Sequence, residues 1–378
     1  MEAQVNQSGD NPVMSESNTV VRNNDLLILI VVCLISGFLI KLPQLIGGIS
    51  PAFHFYEKDA GLIVFFGLSL YVFLTNKRLI TKHMLISLAV FALSTIYINL
   101  LPTTTESHSI NLAYMHLLLF LWCLYGLIYI DFDTKQPLRR MDYLRYNGDV
   151  AILTAIILIA GGILTAVTFG LFSAIDMHIE KIYADYVIMI GLVSAPIVAT
   201  YIIKTYPSVT RKIAPIIASL FTPLVLFTLV IFLISVVVTG KDPYNDRDFL
   251  LVFNLMLLGV MALIVFSVTE TFQHKGQRFN VWMLFALSVI TLLVDLVALS
   301  AIVYRLGEYG FTPNRTAVLG SNLLIFGHLI LIMIDLFKVV FKGRAFDSVE
   351  RTITRYLPVY MIWTIVVTFA FPFLFGMK

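Results

Sequence analysis

Long uncharged apolar runs alternate with short polar stretches along the chain, and the lengths of the runs decide what they become. A helix rises about 1.5 Å per residue and the hydrocarbon of a bilayer is about 30 Å thick, so a run of roughly 17 to 25 apolar residues reads as a membrane span. Eleven such runs are present, with cores near 26–46, 60–75, 82–101, 110–130, 149–172, 182–204, 213–239, 248–268, 279–303, 316–341 and 355–375. The second is the weakest because it has only 16 residues; as a re-entrant segment it would change the parity of everything after it, and the span count ranges from ten to twelve. The expected fold class is all-α, a polytopic transmembrane helix bundle in which residues 25–378 form a single integral membrane domain. Residues 1–24, polar with Asn, Ser, Gly and Pro, have little to bury and read as a disordered tail. The first apolar run is too long for the core of a signal peptide, so it is expected to remain as an anchor.

Positive charge sets the orientation, since cytoplasmic loops hold an excess of Lys and Arg. With eleven spans, one side collects 18 of the 26 Lys and Arg, in the tail and in 75–82, 131–148, 204–212, 269–278 and 338–355, and the other collects 8. The N-terminus is therefore expected in the cytoplasm and the C-terminus outside, and the regular alternation favours counting the short second run as a span. The longest loops, 131–148 and 341–355, are too short for a soluble domain. Function must then sit in the bundle or at its rims. Composition agrees, with 59% hydrophobic and 13% charged residues, against about 45–50% and about 25% in soluble domains. A net charge of +3 without a Lys/Arg-rich run sets nucleic acid aside as a partner. Cys33 and Cys123 each lie inside an apolar run and support neither a disulfide framework nor a metal site.

Ionisable side chains at membrane depth are the sharpest chemical signal, because a charge at the bilayer centre costs at least about 2.5 to 3.5 kcal/mol. Asp295 lies in the ninth run with Ser288 and Thr291 seven and four residues before it, hence on one helix face. In the tenth run Ser321, His328 and Asp335 recur at seven-residue steps, about two turns each, and also share a face. A short loop joins these two helices, which makes them antiparallel neighbours, and the rise per residue sets Asp295 within about 6 Å of the level of His328. A carboxylate facing an imidazole there would either glue the helices together or act as a proton-coupled switch. Pro196 and Pro223, inside the sixth and seventh runs, kink their helices unless neighbours satisfy the freed carbonyls. Paired kinks hint at a cavity, although prolines are also simply commoner in membrane helices.

The loop between those helices, Tyr304 to Arg315, is the most distinctive text in the chain. Gly310 permits a turn, Thr312 suits an N-cap, and Pro313 fits the first helical position, where its absent N–H costs nothing. Arg315 then lies in a first helical turn, where the dipole opposes a cation, so an acid such as Glu308 or a bound anion is expected to compensate it. With Arg305, Glu308, Tyr309, Thr312 and Asn314 it forms a candidate outer anion site; the alternative is an Arg–Glu bridge fixing the rim. Asp176, His178, Glu180 and Asp185 crowd another loop, but their spacing is not that of a metal site and a solvated loop is the better reading. No P-loop, GxSxG or dinucleotide fingerprint occurs, so no cofactor and no catalytic residue is assigned.

Tyr309, Gly310, Phe311, Thr312 and Arg315 spell a Tyr-Gly-x-Thr-x-x-Arg segment before a late membrane helix. In this the chain resembles an uncharacterised family of bacterial polytopic membrane proteins, a domain of unknown function, in which an aliphatic residue usually stands at the place of Phe311. The likeness extends in general character over about 270–340 and in hydropathy over most of the chain. It implies a multi-pass location in a bacterial cytoplasmic membrane and supplies no activity or ligand. Short loops, polar stripes and kinks favour transport or translocation of a small or lipid-linked solute, with the bilayer and a small anionic or lipid-linked ligand as partners. That reading expects a polar cavity reaching Asp295 or His328. The alternatives are an integral-membrane enzyme acting on a lipid or glycan at the outer face, with Arg305, Glu308 and Arg315 in one groove, and a non-catalytic subunit of a membrane assembly.

Overall fold

The computed structural model describes residues 12–46, 54–76, 81–102, 107–173, 178–207, 222–227, 229–231, 233–234, 238, 244, 247–271 and 278–377. These residues are helical with no strand, in the order α1 Pro12–Ile40, α2 Phe55–Thr75, α3 Thr81–Leu100, α4 His108–Tyr129, α5 Pro137–Ser173 and α6 Glu180–Thr205. Then come α7 Thr222–Ile231, α8 Arg247–Thr271, α9 Arg278–Tyr309, α10 Pro313–Lys342 and α11 Asp347–Leu374. Among the described residues eight helices are long and apolar enough to cross a membrane: α2 to α6 and α9 to α11. Asn24–Ile40, Thr222–Ile231 and Met256–Thr269 are shorter apolar helices. The weak second run gains length from Phe55 to Asp59, so that α2 has 21 residues. The seventh run, 213–239, lies largely outside the described residues, as do residues 1–11 of the tail. α1 begins at Pro12, within the polar tail.

Local chemistry fixes the helix ends. Ser107 caps α4 by accepting from the Ile110 N–H at 3.3 Å. The α4–α5 connection closes through Asp131 and Phe132, both at positive φ. Thr312 caps α10 and Pro313 opens it, while Gly310, at φ 71°, turns the chain where a side chain would be strained. At the other end of the first helices two lysines expected in an outer loop are buried instead. Lys41 and Lys58 are 3% and 2% exposed. Their ammonium groups lie over the rings of Tyr186 (5.0 Å) and Tyr114 (5.9 Å), and the neighbouring Asp59 accepts from Asn99 at 2.9 Å.

The helices gather into two groups. α1, α2 and α6 pack on one another with α4 and α5 alongside, and α8, α9 and α10 form the second set. α11 joins them, touching α4 and α5 on one side and α8 and α10 on the other. Large apolar side chains such as Leu34, Leu100, Leu164 and Phe373 point outward, and the most apolar stretch of α5 buries none of its residues.

Two prolines in α11 leave carbonyls without their usual helical donor, and other helices supply replacements. Pro358 cannot donate to the Thr354 carbonyl, which accepts from Arg140 of α5 at 3.0 Å. Pro372 likewise frees the Thr368 carbonyl, which accepts from the Tyr97 hydroxyl of α3 at 3.0 Å. Near its start Glu350, 1% exposed, pairs with Arg145 of α5 at 2.8 Å, and the same guanidinium donates to the Thr269 carbonyl near the end of α8. One arginine thus ties three helices and places its charge at a helix C-terminus, where the dipole favours it. Removing one partner of a buried pair costs about 3 kcal/mol or more because it strands the other charge. Glu350→Leu is therefore expected to lower the thermal midpoint of detergent-purified protein sharply, with Arg145→Leu added to it recovering much of the loss. Strict additivity of the two single costs would show that the pair does not hold α11.

Candidate functional site

A cavity of about 630 Å³ lies between α4, α5, α8, α10 and α11. Its wall is mainly apolar, including Leu144, Ile152, Met261, Phe266 and Ile325. Leu119 and Leu258, which also line it, are 49% and 53% exposed, so it opens sideways on the lipid-facing surface. Small residues make room for it: Ala151 and Ala262 lie in its lining, and Gly320 lets the Trp363 ring approach α10, since a Cβ there would collide with the indole. A second cavity of about 300 Å³ shares Trp122, Cys123 and Leu357 with the first and continues to Ile130, Thr134 and Arg140. From Arg140 to Ile152 along α5 the two together follow the helix for about 18 Å.

Most polar groups on the larger cavity are satisfied by the protein. Trp122 donates to Asn147 Oδ1 at 2.9 Å, and Asn147 in turn donates to the Tyr143 carbonyl at 2.6 Å. Trp363 donates to Ser321 Oγ at 3.1 Å, and Thr364 donates to the Met361 carbonyl at 2.8 Å. His328 is different. It is 0% exposed, lies flat against Tyr356 with ring centroids 4.3 Å apart, and meets the Tyr360 hydroxyl through Nδ1 at 3.1 Å. Its Nε2 has no partner among the described residues. Among the described residues no Asp, Glu, Lys or Arg borders this cavity.

No hydrogen bond or ion pair joins the two residues expected to pair. His328 turns toward α11, and no ion pair joins it to Asp295 among the described residues. Asp295 is also 0% exposed, with both carboxylate oxygens unpartnered; it stands outside the cavity lining but within electrostatic reach of Tyr360. The seven-residue spacing identified a shared face of α10, and that face meets more than one helix. Ser321 and His328 reach the cavity, whereas Asp335 is bound by Lys338 at 3.1 Å and Thr352 at 2.6 Å. Thr291 and Ser288 donate back to the Leu287 and Phe285 carbonyls of their own helix. The expected polar cavity is thus a mainly apolar one with His328 at its wall.

The loop between α9 and α10 also rearranges the expected partners. Arg315 donates through Nη1 to the Tyr309 and Gly310 carbonyls at 2.7 and 2.9 Å, with its guanidinium 5.3 Å from the Tyr309 ring. What compensates the cation is the carbonyl end of α9, not Glu308, which is exposed and makes no ion pair with it. A helix C-terminus attracts the charge that the N-terminus of α10 opposes. Thr312 uses its hydroxyl as the cap of α10, and Arg305 is half-buried with Nη1 unpartnered. Asn314 is half-buried beside them. Asp176 lies outside the described residues, and His178 makes only a long contact with Glu180 at 3.9 Å.

Sequence reasoning did not single out His116, Trp122, Asn147, Tyr360 or Trp363, all of which line the cavity. Trp and Tyr inside spans gave a signal, because their polar atoms require partners when buried. Comparison with protein families, characterised proteins and solved structures yields no match for this chain. The geometry of the cavity and of the loop therefore carries the functional argument alone. For the loop, Arg315→Ala is expected to destabilise the purified protein by about 1 kcal/mol through the lost carbonyl contacts. Glu308→Ala should stay within about 0.5 kcal/mol. A Glu308 effect as large as that of Arg315, with strong coupling in the double variant, would restore the ion-pair reading.

Proposed function

We propose that the chain is a multi-pass protein of a bacterial cytoplasmic membrane that binds and translocates a small or lipid-linked solute through the cavity bordered by His328. The observation that carries this reading is the cavity itself, roomy enough for a drug-sized ligand or a lipid chain, open toward lipid and provided with few polar groups. Its side opening favours a substrate drawn from the bilayer over one taken from water. The outer-face enzyme reading receives less support, because Arg315 is engaged by backbone carbonyls.

The proposal includes eleven spans with the N-terminus in the cytoplasm. Supporting this, contacts join residues that such an alternation puts on the same side. Asp25 pairs with Lys204 at 2.9 Å, and Arg145 with Glu350, on the side proposed to be cytoplasmic. Asp59 with Asn99, and Tyr244 with Ser300 at 3.2 Å, meet on the other.

Two measurements test these proposals. Reporter fusions within 131–148 and after the last residue should report opposite sides of the membrane; the same side for both would rule out eleven spans. In proteoliposomes carrying tail-labelled fluorescent lipids of neutral and anionic headgroup, the protein should let dithionite bleach the inner-leaflet dye at least several-fold faster than in protein-free vesicles. Ala262→Phe, which narrows the cavity, should remove most of that acceleration while the protein remains folded by thermal midpoint. No acceleration with any of these lipids would end the proposal for lipid translocation.

A further inference from the structure

The hydrogen-bonding state of the two histidines on the cavity defines what can occupy it. His116 lies on α4 and its Nδ1 meets the Leu112 carbonyl at 2.9 Å. A carbonyl only accepts, so Nδ1 carries the proton and Nε2 of the neutral ring is left as an acceptor. No hydrogen bond to that Nε2 is formed among the described residues. His328 has the opposite arrangement. The Tyr360 hydroxyl has no acceptor among the described residues other than His328 Nδ1. If Nδ1 donated to Tyr360, the phenolic proton would be left without an acceptor among the described residues. The pairing with fewer orphaned groups has Tyr360 donating to Nδ1, which leaves Nε2–H as an unpartnered donor.

Among the described residues the cavity wall therefore holds one unpartnered donor, the buried His328 Nε2–H, and one unpartnered acceptor, His116 Nε2, among mainly apolar side chains. Among the described residues no charged side chain borders it, and Arg140 lies only on the second cavity, so a charged headgroup placed beside the histidines would lose its hydration without gaining a counter-ion there. An apolar continuation past Trp122, Cys123 and Leu357 leads into the second cavity and gives a chain room to extend. We infer that the occupant is an uncharged acyl-glycerol type lipid. Its ester carbonyl accepts from His328 Nε2, a free hydroxyl donates to His116 Nε2, and its acyl chain lies along the apolar wall. This deepens the translocation proposal, since it rests on the cavity being the binding site and names the class of molecule bound there.

The three tryptophans make the test direct, because Trp122 and Trp363 line the cavity and Trp282 does not. In detergent-solubilised Trp282→Phe protein, the glycerol monoester of dibromostearic acid should quench the remaining tryptophan emission saturably. The matching glycerol ether, which lacks the carbonyl, should need about ten-fold more for half-saturation. His328→Ala should weaken the ester by about ten-fold and leave the ether unchanged, so that the two bind alike, while His328→Gln, which keeps an N–H donor, should restore most of the difference. Cys123→Phe, which narrows the passage to the second cavity, should weaken the 18-carbon ester more than it weakens an 8-carbon ester measured by competition. Ether binding as tight as the ester, or His328→Ala without effect, would overturn the assignment while leaving the cavity a lipid site. Free dibromostearate or a short-chain quinone binding more tightly than the ester would overturn it as well, in favour of a charged ligand or of one lacking a hydroxyl. No saturable quenching by any of these probes would overturn both this inference and the cavity as the site of the proposed function.

Discussion

Within hydrocarbon, a backbone carbonyl that loses its helical donor must find another, and α11 is built around two such carbonyls. Pro358 and Pro372 free the Thr354 and Thr368 oxygens, which draw Arg140 of α5 and Tyr97 of α3 onto the helix. The buried Arg145–Glu350 pair adds a third attachment and brings the end of α8 with it. These contacts set where the last helix stands between the two groups of helices. Because apolar side chains gain little from leaving lipid for one another, directional polar contacts of this kind can decide how the groups are joined.

The position of α11 in turn creates the cavity. Tyr360, Trp363 and Leu357 face inward from it, while Trp122 and Asn147 face them from α4 and α5. The most apolar stretch of α5 buries none of its residues. Lipid can cover such a surface without the penalty that water would impose. A large apolar opening is thus compatible with a stable bundle here, whereas in a soluble protein the same opening would be a liability.

Polar groups in the interior divide by whether the protein satisfies them. Ser321, Asn147 and Thr364 are all bonded within the fold, and Asp335 and Arg315 are bonded at its rims. Asp295 and the Nε2 of His328 are buried without partners among the described residues. Leaving a buried polar atom unmade costs about 1 to 3 kcal/mol. Of these two, only His328 also borders the cavity, which is why the proposed function is built on it.

The order of polar and apolar residues by itself determined that the chain is helical and membrane-spanning in character, because run length and backbone satisfaction leave few other solutions. It also determined local ends such as the Thr312 cap, the Pro313 start and the Gly310 turn, which depend only on neighbouring residues. Periodicity placed Ser321, His328 and Asp335 on one face of α10 but left open which neighbour each would meet. Tertiary structure decided that His328 bonds to Tyr360 and not to Asp295, that Arg315 binds the end of α9 rather than Glu308, and that Arg145 finds Glu350 205 positions away. The physical reason is that a 3.6-residue repeat fixes a direction around one helix axis, while partners are fixed by how separate helices rotate and cross. That arrangement was set by long-range contacts, among them the replacement donors for two proline-freed carbonyls in α11, and single-helix spacing carries no record of them.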